Sequence, residues 1–200
     1  MRATNMKYTI NIVRDADPEN PREAYHNVGT KLICWHRRYN LSDKNAEYTG
    51  EPEDFAAWAK KEKVLYLPVY LYDHGVLSMS TGSFSCQWDS GQVGYIYMTK
   101  ESILLEFGGK ILTKKAKEWT YNTLESEVKT YDDYLTGNVW GYEILDEEQE
   151  VIESCYGFFG EQEYCREEAA AIVKALENQD AEKAAYKGDK FRDMNRVISL

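Results

Sequence analysis

Hydrophobic and polar residues alternate along residues 8–13 (YTINIV), as a half-buried strand requires. The same period recurs at 30–38 (TKLICWHRR), with Leu32 and Cys34 on one face and Ile33 and Trp35 on the other. Residues 64–72 (VLYLPVYLY) are almost wholly apolar and aromatic, and 92–99 (QVGYIYMT) alternates again, so these two runs predict a central strand pair. Residues 76–80 fit a further short strand, and 138–145 with 151–159 predict a hairpin around the acidic turn DEEQE. Helical spacing appears at 51–61, where Pro52 suits a first turn and Phe55, Trp58 and Ala59 share a face. It returns at 100–107, stopped by Gly108 and Gly109. Thr113 can cap a long helix to 135, whose apolar positions Leu112, Ala116, Trp119, Leu124, Val128, Tyr131 and Leu135 recur as one face. Residues 163–186 are rich in alanine and glutamate and predict a helix, with Gly188 after it and a short helix or loose tail over 191–200. Residues 16–27 read as a loop or short helix.

Strands adjacent in sequence usually pair as hairpins. This order therefore predicts an α+β fold, a largely antiparallel sheet of about five to six strands with helices packed on it. The expected organisation is one domain over 1–160, with a helix and tail over 161–200 packed on it. No repeat or low-complexity linker interrupts the chain.

Composition narrows the function classes. The net charge of −10 argues against direct binding of nucleic acid, whose phosphates need a basic face, and permits a partner with a basic surface. Cys34, Cys86, Cys155 and Cys165 lie far apart with no CxxC pair, so reduced thiols and a cytoplasmic setting are expected. The chain start reads as no signal peptide, and no run approaches a membrane span.

The residues between the two central strands are small and polar, the place where rigid strands would hold functional groups. Trp88, Asp89, Ser90 and Gly91 form a turn with an aromatic anchor. With Asp73 and His74 they make a candidate ligand loop, to which Arg37 and Arg38 add a cationic patch suited to phosphate or carboxylate. The same loop supports plainer readings: Asp73-His74-Gly75 as a tight turn and Cys86 as a small buried residue. A nucleophilic site from His74, Cys86 and Asp89 would need a base against the thiol, and no hydrolase signature surrounds them. A metal held by His36, His74, Asp73 and Asp89 is not demanded by any spacing; neither metal nor cofactor is expected. Asp132 and Asp133 end the long helix against its dipole, which calls for a partner such as an arginine, with Arg37 or Arg38 as candidates, or a backbone turn. From Glu143 to Glu168 the chain carries ten acids and one arginine.

The segments CWHRRYNL, LPVYLYDHGVLSMSTGSFSCQWDSGQVGYIYMTKE, EVKTYDDYLTGNVWGYEI and ESCYGFFG together resemble a family of small uncharacterised proteins carried by bacteriophages and other mobile elements. WDSGQVGYIY is the most specific part, and the likeness covers residues 32–160. No activity is established for that family, so the resemblance assigns no catalytic residue. It implies a small protein acting against host defence, as an inhibitor of a restriction or CRISPR nuclease or as a sponge for a nucleotide signal.

The reading that combines these points is a non-enzymatic accessory protein that binds a host macromolecule, above all a defence nuclease. Glu147, Glu148, Glu150, Glu161 and Glu163 would form the docking face. Its rivals are a small-molecule or nucleotide-signal binder using Arg37, Arg38, Asp73, His74, Trp88, Asp89 and Ser90, and an enzyme using His74, Cys86 and Asp89.

Overall fold

A computed structural model describes residues 7–24 and 29–197. The expectations for the chain start, for 25–27 and for 198–200 lie outside them. The fold is α+β, with two antiparallel sheets. The chain divides into two compact units, residues 17–138 and residues 7–16 with 139–197.

The 17–138 unit holds a four-stranded sheet in the order β2 (Thr30–Cys34), β5 (Ser90–Met98), β3 (Leu65–Asp73), β4 (Leu77–Ser80). The two runs expected to be central, β3 and β5, occupy the centre. Val69 and Ile96 are fully buried in them. Both faces of this sheet are covered, which explains why β3 lacks a polar side. On one face Leu32, Val69, Leu71, Ile96 and Met98 pack against Leu124, Val128 and Tyr131 of α4 (Lys114–Leu135). On the other, Ile33, Tyr66, Tyr95 and Tyr97 pack against Phe55, Trp58 and Ala59 of α2 (Phe55–Glu62). The Phe55 ring stacks on Tyr95 at 4.2 Å and meets Tyr66 edge-on at 5.1 Å. Thr113 caps α4 by accepting from the Ala116 N–H, and Thr99 caps α3 (Lys100–Phe107) through Ser102.

Arg22, in the short helix α1 (Pro21–Ala24), lies at the base of this unit with its side chain 4% exposed. Its guanidinium donates from Nε and Nη2 to the Asp43 carboxylate, and from Nη1 to Glu127 of α4 and Thr30 of β2. Asp43 in turn accepts from the Leu32 N–H at 2.8 Å, and its own N–H donates to the Leu32 carbonyl at 2.9 Å. One cation thus serves two carboxylates. Burial, with Asp43 adding to it, pushes the Glu127 carboxyl above its ordinary value although Arg22 pulls it down.

In the other unit, β1 (Thr9–Arg14), β6 (Val139–Leu145) and β7 (Val151–Phe159) pair in that order, and α5 (Gln162–Val197) covers one face. Tyr142, Ile144, Cys165 and Ala169 are buried there, with Ile10, Ile12, Ile172 and Val173 around them. Lys7 and Tyr8 both donate to Asp180 of α5. In the β6–β7 turn, Asp146 accepts from the Glu148 and Glu150 N–H groups at 3.0 Å, which frees the chain's acidity to Glu147, Glu148 and Glu150.

Four features differ from the sequence expectations. The strands divide between two sheets, because β1 pairs with β6 far along the chain rather than with its neighbour β2. β2 ends at Cys34 instead of 38, because the chain folds back beyond Trp35 so that Ser42 Oγ bonds both the Cys34 N–H and the Cys34 carbonyl. α5 continues beyond 186 through Gly188 to Val197; one glycine weakens a helix by only about 1 kcal/mol and need not end it. Asp132 and Asp133 do not pair with Arg37 or Arg38. Asp132 accepts from Ser78 Oγ at 2.7 Å and from the Met79 N–H at 2.9 Å, which fastens β4 to α4. Asp133 accepts from Lys129 and from Asn138 at 2.7 Å.

Two predictions follow from this packing. A Cβ on Gly94 would lie 1.9 Å from the Ile33 carbonyl oxygen, whereas one on Gly91 meets nothing within 4 Å. Gly94→Ala should therefore cost on the order of 3 kcal/mol or more in urea denaturation, and Gly91→Ala almost nothing. Glu127 supplies the second. Its raised carboxyl holds a proton more tightly in the folded chain, so the resulting stability is fully present below the ordinary value of 4.5 and fades as pH rises through the raised value. The stability of wild type relative to Glu127→Gln should fall across that window in a pH series of denaturant titrations.

Candidate functional site

A wide, open basin of about 790 Å³ lies wholly within the 17–138 unit. Its aromatic walls come from Trp35, just past β2, and Tyr95 of β5, whose rings meet edge to face at 6.2 Å. Phe55 supports both from beneath, and the Trp35 indole N–H donates to the Gly50 carbonyl at 3.2 Å. These contacts fix the two rings, because each is held on several sides. The tight approach of β2 to β5 at Gly94 brings Gln92 and Val93 to the same basin.

Beyond Trp35 the chain leaves the sheet, and His36, Arg37 and Arg38 line the rim. His36 stacks on Tyr39 at 5.1 Å. Arg38 donates to the Tyr39 hydroxyl at 2.9 Å and to Asp73, at the end of β3, at 2.8 Å. That ion pair is two-thirds exposed on the arginine side and contributes little to stability. Arg37 and Glu53 are exposed, and neither makes a hydrogen bond or ion pair among the described residues.

His74, Trp88, Asp89 and Ser90 do not line this basin. His74 lies in the β3–β4 connection and Trp88 and Asp89 in the segment before Ser90 opens β5; the Asp73 N–H donates to the Asp89 carbonyl at 2.8 Å and Ser90 Oγ donates to the Cys86 carbonyl. His74 Nδ1 lies 3.2 Å and Cys86 Sγ 3.6 Å from the same Asp89 oxygen. The order is thiol, carboxylate, imidazole. A cysteine nucleophile needs the imidazole against the sulfur, so this arrangement lacks the base that the enzyme reading requires. The candidate metal ligands do not converge either: among the described residues no group of three or more His, Cys, Asp or Glu is placed to hold an ion. Trp88, read as an aromatic anchor, is 96% exposed.

The acidic residues lie on the other unit. Glu147, Glu148 and Glu150 are exposed at one end of β7, and Glu161 and Glu163 are exposed beyond its other end, nine strand residues away. At about 3.3 Å per residue the two groups are roughly 30 Å apart along the strand. β7 itself connects them. It is an edge strand, and residues 151–156 are all exposed, including Val151, Ile152, Glu153 and Tyr156. Tyr156 lies over Gly141 and donates to Glu143 at 2.8 Å.

Arg37, Arg38 and Asp73 thus share one basin, and His74, Asp89 and Ser90 lie beside it. Trp35, Glu53, Gln92 and Tyr95 were not among the expected site residues. Trp35 and Tyr95 carried the signal of aromatic positions on the strand face opposite Leu32 and Ile96, whereas nothing local marked Glu53. No described helix is long and apolar enough to cross a membrane. Comparison with protein-family models, with curated proteins and with solved structures finds no match.

Proposed function

We propose that this is a non-enzymatic binding protein that engages a basic partner surface through the acidic edge of its 7–16/139–197 unit. The observation that carries this reading is the composition of the exposed β7 edge. Single exposed apolar residues are ordinary, whereas several close together mark an interaction surface. Here Val151, Ile152 and Tyr156, with Tyr164 at the start of α5, stand exposed among Glu147, Glu148, Glu150, Glu153, Glu161 and Glu163. Tyrosine and aliphatic contact area ringed by charge is the make-up of a protein interface. An open sheet edge adds backbone groups that a partner can bond.

The partner class we propose is a host nuclease acting in defence against mobile DNA, whose substrate groove must be basic. The resemblance to phage and mobile-element proteins supports that choice. The thiol–carboxylate–imidazole order around Asp89 supports binding over catalysis.

The test begins with capture of the partner from host lysate, followed by surface plasmon resonance over a salt series. The screening length falls from about 10 Å at 0.1 M to about 3 Å at 1 M, so association should slow steeply with salt. Reversal of Glu147, Glu148 and Glu150 to lysine should slow association about tenfold while leaving the melting temperature unchanged, because these side chains are solvated. Association that is independent of salt and equal for the triple variant would overturn the reading.

A further inference from the structure

The basin beside β5 carries chemistry that the acidic edge does not use. It is wholly within the other unit, so neither reading rests on the other. Its volume of about 790 Å³ falls within the range of small-molecule sites. The two aromatic walls, Trp35 and Tyr95, are held by Phe55, Tyr48 and the Gly50 carbonyl, so a ring placed against them meets a surface already ordered.

The charges on the rim select the ligand further. Arg38 is committed to Asp73 and Tyr39. Arg37 is not committed, and its five N–H donors are open to an anion with several oxygens. Glu53 also lines the basin, and among the described residues it has no hydrogen-bond partner and makes no ion pair with Arg37. A simple anion would find this carboxylate repulsive. A simple cation would be repelled by Arg37. The fitting molecule is planar, anionic at one end and rich in N–H donors at the other.

We propose that this basin is a nucleotide site for a guanine nucleotide, with the phosphate on Arg37, the base against Trp35 and Tyr95, and its edge on Glu53. An ionised carboxylate only accepts hydrogen bonds. Guanine presents N1–H and N2–H side by side, two donors for two oxygens. Adenine sets the acceptor N1 beside its amino group and leaves one oxygen facing a lone pair. Gln92 also lines the basin; its amide nitrogen donates to the Gly94 carbonyl at 3.4 Å and keeps a second N–H for the guanine carbonyl.

The test is isothermal titration calorimetry of the full chain with GMP, AMP, guanosine and inorganic phosphate. GMP should bind saturably, and the other three at least about tenfold more weakly, the loss expected when one charged hydrogen-bonding group goes unmatched. Arg37→Ala should weaken GMP about tenfold or more and leave guanosine unchanged. Glu53→Gln should remove the preference for GMP over AMP. Both side chains are exposed and unpartnered among the described residues, so melting temperatures should match wild type. The proposal is overturned if no nucleotide binds saturably, if GMP and AMP bind alike in the wild type, or if GMP binding is the same in Arg37→Ala as in wild type.

Discussion

One buried guanidinium joins four segments of the larger unit. Arg22 ties α1, the 40–45 loop, β2 and α4 to a single point. A charge taken from water is costly, and it is tolerated here because donors to Asp43, Glu127 and Thr30 satisfy it. Removing one partner of such a group leaves an unpaired buried charge and costs about 3–5 kcal/mol. The shape of the segment that follows β2 depends on this point. Asp43 bonds Leu32 in both directions, and Ser42 Oγ accepts from the Cys34 N–H at 2.8 Å. The chain between Cys34 and Ser42 is therefore a closed loop with fixed ends, and that loop carries Trp35, His36, Arg37 and Arg38 to the basin.

Much of the fold was legible because local patterns and tertiary packing agree in it. β3 and β5 read as central strands from their apolar content, and both are. The face of α4 from Ala116 to Leu135 was visible as a helical repeat and is the face that packs. What was not legible depends on long-range pairing. Nothing in YTINIV says that it pairs with residues near 140, so the division into two sheets was invisible. Arg22 sits in a proline-bearing stretch of mixed polarity that reads as a loop or short helix, and its partners Asp43 and Glu127 are 21 and 105 residues away. No periodicity can announce such a contact.

The site was partly legible for the same reason. Arg37, Arg38 and Asp73 share a basin because they lie past the end of β2 and at the end of β3, the two strands that flank β5, and a dense cationic pair was visible in the chain. His74, Asp89 and Ser90 were visible as turn residues, and Asp89 and Ser90 do bond the nearby backbone. Of the partners expected for the aspartates ending α4, an arginine or a backbone turn, the arginine is not the one they use. A helix C-terminus can equally use its carboxylates to accept from a neighbouring strand, as Asp132 does from Ser78 and Met79. The acids of the β6–β7 turn divide in a way that sequence alone does not show: Asp146 is spent on its own turn, whereas Glu147, Glu148 and Glu150 remain outside it.

The central physical claim is that the Arg22 cluster anchors β2 and the loop that shapes the basin. Native-state hydrogen exchange of the Leu32 and Asp43 amides tests it most directly. Both should exchange only through global unfolding, with protection free energies within about 1 kcal/mol of that of Ile96 in the central strand. Protection of Leu32 and Asp43 far below that of Ile96 would show that this end opens independently of the core, and would contradict the account.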